Sequence, residues 1–333
     1  MDEILKVENL HTYFHTYRGT LKALTDVSFS LYPGEILGLV GETGCGKSVT
    51  ARSIIRLIKE PGKIEKGKII YKDKDLLMLS EEEMRSIRGK EISMIFQEPM
   101  TSLNPVLKIG TLMSEVIMVH KRINRKKALK IAKKMLKEVK MPDPEGVLNK
   151  YPFELSGGMR QRIMIAMALS SNPEILIADE PTTALDVTIQ GQILKLIIEL
   201  SQKRRTSVLL ITHDLGVVAN VADRVIVMYA GNIVEEGNVK KIFTNPSHPY
   251  TQGLLKSLPS LAKEGEELST IPGTLPNLIY PPKGCFFYDR CEVRQEYCKE
   301  EKPEKFHLGE NHYVWCHKIK NEKMERLGYG KPA

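Results

Sequence analysis

The sequence predicts an α/β fold with a parallel sheet at its centre, and three features point to it. An apolar strand at residues 36–40 runs into the glycine-rich stretch GETGCGKS (41–48), which opens a helical segment reaching Leu57. Strand, glycine loop and helix in that order form a phosphate-binding unit. A second apolar strand, ILIADE at 175–180, ends in two carboxylates, and two further strands, 92–96 and 208–212, fit the same sheet.

Residues 6–14 and 23–31 alternate in part, with Val27, Phe29 and Leu31 on one face, so both read as half-buried strands. Pro33-Gly34 turns the chain into the 36–40 strand. In the loop, glycines let backbone N–H groups curl around phosphates without Cβ clashes, and the helix N-terminus adds partial positive charge. Lys47 supplies a point charge to the β and γ phosphates, and Ser48 a hydroxyl to Mg²⁺. Cys45 occupies a variable loop position and reads as a small neutral residue, not a nucleophile.

The strand at 92–96 ends in Gln97, and residues 99–172 read as a mostly helical subdomain. Ala128, Ile131, Ala132, Met135, Leu136 and Val139 recur at helical spacing, while lysines fill the other face, a solvated basic surface. LSGGMRQR (155–162) precedes an apolar run: Ser156 is a good N-cap, and Gly157 and Gly158 leave N–H groups exposed, which makes a second anion site. A monomer with one nucleotide has no use for two such sites. At the end of 175–180, Asp179 would hold Mg²⁺ through water and Glu180 would polarise the attacking water. The strand at 208–212 ends in His213-Asp214, the same position at a sheet's ligand-binding edge.

The chain has 333 residues, 42% hydrophobic and 27% charged, as expected of a soluble globular protein. No stretch approaches the roughly 20 apolar residues that cross a bilayer, and Met1 opens onto acidic residues, so a protein kept inside the cell is expected. The net charge of +8, from 49 basic against 41 acidic residues spread along the chain, is too mild to imply nucleic acid or a membrane surface by itself.

Taken as an ordered set, GETGCGKS, Gln97, LSGGMRQR, ILIADE, TALD (183–186) and His213 resemble the ATP-binding subunit of an ABC transporter. The resemblance implies a P-loop NTPase (RecA-like) core with an antiparallel β subdomain and a helical subdomain. It implies ATP at Gly41, Gly44, Cys45, Gly46, Lys47, Ser48 and Val49, and Mg²⁺ near Ser48, Gln97 and Asp179. Phe14, or Tyr13 beside it, falls where the family stacks an aromatic ring on adenine. Glu180, His213 and Gln97 take the catalytic roles. Family members dimerise head to tail, so Ser156 and Gly158 would meet the γ-phosphate held by the partner, with Gly157 between them also counted as ATP-binding, and Asp186 would bridge the two sites.

Beyond residue 245, proline rises and periodicity fades, marking a new module at 246–333 after a nucleotide-binding domain at 1–245. HPYT, the Pro-Pro-x-Gly-Cys stretch and Cys285, Cys291, Cys298 and Cys316 resemble the C-terminal extension of subunits that energise oligopeptide, dipeptide and, in some members, nickel import. That implies a second, related ATPase as dimer partner, two transmembrane permease subunits, an extracytoplasmic peptide-binding protein, and a place on the cytoplasmic face of the membrane. Disulfides are not expected there. The cysteine spacing lacks paired knuckles and names no metal. Some members carry a 4Fe-4S cluster on such a tail, so the cluster is expected here, with Zn²⁺ as the alternative. Lys283, Arg290 and Arg294 would partly offset thiolate charge, and His307, His312 and His317 are candidate substitute ligands, though expected at the surface. The rival reading is a soluble ABC ATPase acting on nucleic acid, which usually needs a coiled coil, inserted zinc modules or two cassettes; a single uninterrupted cassette is found.

Overall fold

Alternation along Leu5–Thr16 buries Leu5, Val7, Leu10 and Thr12, while the intervening positions stay partly exposed. In the computed structural model, which describes residues 2–97, 103–182, 185–258 and 270–326, this strand pairs antiparallel with Gly62–Tyr71, from Leu5 opposite Tyr71 to Phe14 opposite Gly62. Gly19–Leu31 and Lys74–Asp75 complete a four-stranded sheet. Pro99, Thr183, Ala184 and Pro259, each within a stretch singled out above, lie outside the described residues.

The chain divides into two compact units. One comprises Leu5–Ser30, Leu37–Leu77 and Thr212–Ala333 and holds the antiparallel sheet just described. It also holds most of strand Ile36–Val40, parallel to Arg224–Tyr229 with Leu37 opposite Arg224. Asn232–Asn238 folds back antiparallel on Arg224–Tyr229, and the hairpin Phe306–Gly309 and His312–Val314 adds to Asn232–Asn238 through Glu235 opposite Val314. The C-terminal residues therefore extend a sheet of the preceding region. The helix after the phosphate loop is Lys47–Ile54, shorter than the sequence suggests, because Arg56 turns left-handed at φ 52 and its guanidinium donates to the Leu76 carbonyl at 3.1 Å.

The other unit comprises Met1–Ile4, Leu31–Ile36 and Met78–Ile211. Its parallel strands Ile92–Ile95, Ile175–Asp179 and Ser207–Ile211 run in register, Ile95 opposite Ala178 and Asp179 opposite Ile211, and every residue of the latter two is buried. Helices Ile109–Lys121, Arg125–Glu138, Pro144–Leu148 and Gly157–Leu169 make the helical subdomain. Ala128, Ala132, Met135, Leu136 and Val139 are buried in one apolar cluster with Ile163, Ile165 and Leu169, and Ile131 packs against it. The lysine face is solvent-facing; Lys133 pairs with Glu145 and Lys140 with Glu199. Among the described residues no helix is long and apolar enough to cross a membrane.

Candidate active site

The phosphate loop owes its path to glycine. Gly41 sits at φ 152, and a Cβ there would come within 2.2 Å of the Met228 carbonyl oxygen; Gly46, at φ 108, caps helix Lys47–Ile54 with no room beside Leu24 and the Ala23 carbonyl. The buried Lys47 ammonium lies within the loop, donating to the carbonyls of Gly41 at 2.7 Å and Glu42 at 3.0 Å. Phosphate oxygens are better acceptors for an ammonium than carbonyls, so the loop presents a donor ready to be redirected. The Cys45 thiol is fully buried and burial pushes its pKa up, which keeps it neutral, as its position suggested. Ser48 and Val49 are half-buried on the first turn of that helix.

In the other unit, the Ile175–Asp179 strand ends one residue earlier than the sequence indicates. Glu180 adopts a left-handed φ of 43 and its N–H donates to the Ile211 carbonyl at 2.9 Å. Asp179 is 1% exposed and Glu180 9% exposed, so both carboxylates are held in low-dielectric surroundings. Gln97 Nε2 donates to Glu180 Oε2 at 2.9 Å. The structure thus joins two of the three residues assigned catalytic roles. The third, His213, is exposed and lies between strand Ser207–Ile211 and helix Leu215–Val221, whose first turn Asp214 caps by accepting from Val217 N–H at 3.1 Å.

Ser156 caps the 13-residue helix Gly157–Leu169, its Oγ accepting from Met159 N–H at 3.4 Å. Ser156 is exposed and Gly157 and Gly158 are half-buried; a Cβ on Gly158 would press on Ile189 at 3.2 Å. The helix behind is apolar nearly all round and buried, so its polar N-terminus is the part available to an anion. Asp186 is exposed at the start of helix Val187–Arg204, its carbonyl accepting from Ile189 and Gln190 N–H at 2.9 Å.

Residues 24–183 match the ABC transporter family, and residues 234–298 match the family described as the oligopeptide/dipeptide transporter C-terminal region. The chain is 54% identical over 317 residues to the dipeptide transport ATP-binding protein DppD of Bacillus subtilis (strain 168), which covers 95% of each chain. This chain belongs to the ATP-binding subunits of ABC transporters. The oligopeptide transport ATP-binding protein OppD of the same organism is also 54% identical, over 93% of this chain and 87% of its own. The ATP-binding cassette MJ0796, solved as a dimer bound to ADP and Pi, aligns with a TM-score of 0.64 at 28% identity, over 71% of this chain and 98% of its own. The subunit accordingly has the ABC cassette fold on a P-loop NTPase core, and is an ATPase.

In this ATP-binding subunit, Phe14 and Tyr13 point to opposite sides of strand Leu5–Thr16. Tyr13 lies on the His11 side, its hydroxyl 3.1 Å from His11 Nδ1. Phe14 lies on the Thr12 side, its ring over Gly62, where a Cβ would be 2.6 Å away; Thr12 Oγ1 hydrogen-bonds Ser53 Oγ at 2.9 Å on the helix that follows the phosphate loop. Of the two rings, Phe14 therefore shares the loop-helix side of the strand.

Cys285, Cys291, Cys298 and Cys316 all line one cavity of about 20 Å³, together with His248, Phe287 and His317. Backbone contacts hold the module together: Cys285 N–H donates to the Cys298 carbonyl at 2.7 Å, and a Cβ on Gly284 would clash with that carbonyl at 2.3 Å. Burial pushes the Cys285 thiol up to about 12 and the Cys316 thiol up to about 11. Four sulfur donors suit a soft metal in type. Among the described residues, however, no group of three or more His, Cys, Asp or Glu is spaced as a metal centre, so the convergence alone does not carry the expected cluster or zinc.

Two expectations for this module need correction. Arg290 does not serve the thiols; it makes a bidentate pair with Glu42 of the phosphate loop. Arg294 fits the expectation better, since with Lys318 it pulls the Cys291 thiol down against the larger effect of burial. His312 is not at the surface: it is 4% exposed, its Nε2 2.7 Å from Glu235 Oε1. Hairpin pairing of His312–Val314 turns its side chain inward, which spacing along a proline-rich tail does not reveal. His307 is exposed and stacks on Tyr313, as expected of a surface residue. Sequence reasoning also missed the roles of Glu42 and Tyr250, because the partner of the one lies 248 residues away and that of the other 208.

Proposed function

We propose that this subunit powers import of dipeptides and oligopeptides, with ATP binding closing a dimer and hydrolysis reopening it. The observation that carries this reading is identity of 54% along 95% of the chain with a dipeptide transport ATP-binding protein, reinforced by the separate match of residues 234–298 to a peptide-transporter C-terminal region. MJ0796, bound to ADP and Pi as a dimer, supports the two-subunit arrangement. The proposed partners are a second, related ATPase, two membrane permease subunits and, indirectly, an extracytoplasmic binding protein. The proposed place is the cytoplasmic face of the membrane. Nothing in the relatives favours the nucleic-acid alternative.

The residue roles follow the same proposal. Lys47 holds the β and γ phosphates with the loop N–H groups of Gly41, Gly44, Cys45, Gly46, Ser48 and Val49, and Phe14 stacks on adenine. Ser156, Gly157 and Gly158 serve the partner's γ-phosphate, Asp186 bridges the sites and His213 contacts the γ-phosphate. Ser48, Gln97 and Asp179 are the proposed Mg²⁺ set; the ion neutralises charge that develops on the phosphates. Glu180 takes the proton-accepting position toward water, and the amide of Gln97 orients its carboxylate, a role supported by their 2.9 Å hydrogen bond.

The four tail cysteines are proposed as a soft-metal site for a 4Fe-4S cluster, with Zn²⁺ as the alternative; the proposal rests on their lining one cavity, and because no group among the described residues is spaced as a metal centre, the metal is left to assay. A visible spectrum of anaerobically purified protein, with iron, sulfide and zinc measured on the same sample, separates the two, and absence of all three removes the site. The transport reading is tested by uptake of labelled peptides into proteoliposomes carrying the subunit with its permease partners and binding protein. ATP-dependent uptake lost with Glu180→Gln is expected; unchanged uptake with that variant, or uptake confined to non-peptide solutes, overturns the reading.

A further inference from the structure

The loop that binds a polyanion carries a carboxylate of its own. Glu42 is the second residue of GETGCGKS, and a bare negative charge there would oppose the approach of a triphosphate. The structure shows how that charge is met. Arg290 Nη1 donates to Glu42 Oε2 at 2.9 Å and Nη2 to Oε1 at 2.9 Å, a planar two-pronged pair. The guanidinium side chain is 6% exposed and the carboxylate 28%, so solvent screens the pair weakly.

Arg290 has no spare donor. Its remaining N–H groups go to the Tyr229 hydroxyl at 3.3 Å, the Pro272 carbonyl at 2.8 Å and the Ile271 carbonyl at 3.2 Å. The rings of Tyr229 and Phe287 flank it at 5.6 and 6.0 Å. Glu42 is equally occupied along its backbone: its N–H donates to the Tyr250 hydroxyl at 2.9 Å, and its carbonyl accepts from Lys47 Nζ at 3.0 Å. One residue of the loop is thus gripped by Arg290, Tyr250 and Lys47 at once. Arg290 closes the turn Tyr288–Arg290 directly before Cys291, so the grip comes from the cysteine module itself.

We propose that Arg290 is a positioning residue for ATP binding, which cancels the Glu42 charge so that the phosphate loop can receive a triphosphate. The proposal rests on the assignment of that loop to ATP. It gives the C-terminal module a direct effect on nucleotide affinity, separate from any metal at its cysteines.

The test uses the full chain, with ATP affinity from calorimetry and steady-state kcat and KM on the same preparations. Arg290→Ala is expected to raise the ATP Kd by about 10- to 100-fold, the range for stranding a partly buried charge. Its KM should rise in parallel while kcat at saturating ATP stays within about threefold. Adding Glu42→Gln to Arg290→Ala should bring Kd back to within about threefold of the parent, a rescue that a merely structural defect would not allow. Glu42→Gln alone, which keeps Arg290 and does not depend on Arg290→Ala folding, should tighten ATP binding, because a cation beside the loop is released from its partner. A folded Arg290→Ala protein with parental Kd, failure of the double variant to recover, or weaker binding by Glu42→Gln alone each overturns the proposal. If the parent chain itself binds no ATP, the loop assignment fails instead.

Discussion

Glu180 Oε2 accepts a hydrogen bond from Gln97 Nε2 at 2.9 Å across 83 residues of sequence. Parallel pairing explains the meeting: Ile95 lies opposite Ala178, so residues two beyond each strand position emerge side by side at the same sheet edge. Gln97→Ala removes a donor to a buried carboxylate. Turnover should fall by about 10-fold or more, with any rise in KM for ATP smaller than that fall, since the hydrogen bond lost orients a catalytic group. Steady-state ATPase kinetics check this; a rise in KM at unchanged kcat would move Gln97 into the binding set.

Gly41→Ala places a Cβ 2.2 Å from the Met228 carbonyl and 2.7 Å from Cys45 Sγ, contacts that backbone cannot relieve without displacing the loop. ATP binding should be lost to calorimetry while the melting temperature drops by a few degrees. Lys47→Ala should also weaken ATP binding, and should lower stability as well, because it strips the Gly41 and Glu42 carbonyls of their buried donor.

Tyr250 is fully buried, and its hydroxyl takes the Glu42 N–H. Tyr250→Phe keeps the ring and leaves that N–H without its acceptor, at a cost of roughly 1–3 kcal/mol. A urea titration should show a lower midpoint at unchanged slope. An unchanged midpoint would mean that water takes over the contact.

His248 is buried and accepts from Tyr250 N–H at its Nδ1, and burial lowers its pKa from 6.5 to about 4 despite the nearby Glu235 carboxylate. Between those values the unfolded chain binds a proton that the folded chain does not, so stability falls as pH drops from about 6.5 toward 4. His248→Asn, which keeps an N-cap acceptor without a titrating ring, should flatten that slope in denaturation curves taken across the window.

Much of the fold was legible because its signals are local. Strand 36–40, the loop glycines and the helix behind them lie within twenty residues, and the buried set from Ala128 to Val139 follows one helical period. The carboxylate end of Ile175–Asp179 was readable for the same reason. What escaped depends on pairing at long range. The Phe306–Gly309 and His312–Val314 hairpin is short, so alternation has too few positions to show, yet it buries His312 against Glu235. Arg290 looked like a counter-charge for neighbouring thiols because the thiols are close in sequence and Glu42 is not. Which of Phe14 and Tyr13 faces the helix after the phosphate loop depends on which side of the strand carries Thr12, hydrogen-bonded to Ser53.

The most direct test of the account is ATP binding and hydrolysis by Glu180→Gln beside the parent chain. The 9% exposed Glu180, held by Gln97, is assigned the acceptance of the water proton, so the variant should bind ATP within about threefold of the parent and turn it over roughly 10²- to 10⁴-fold more slowly. Undiminished turnover with intact binding would contradict the assigned chemistry at the heart of the reading.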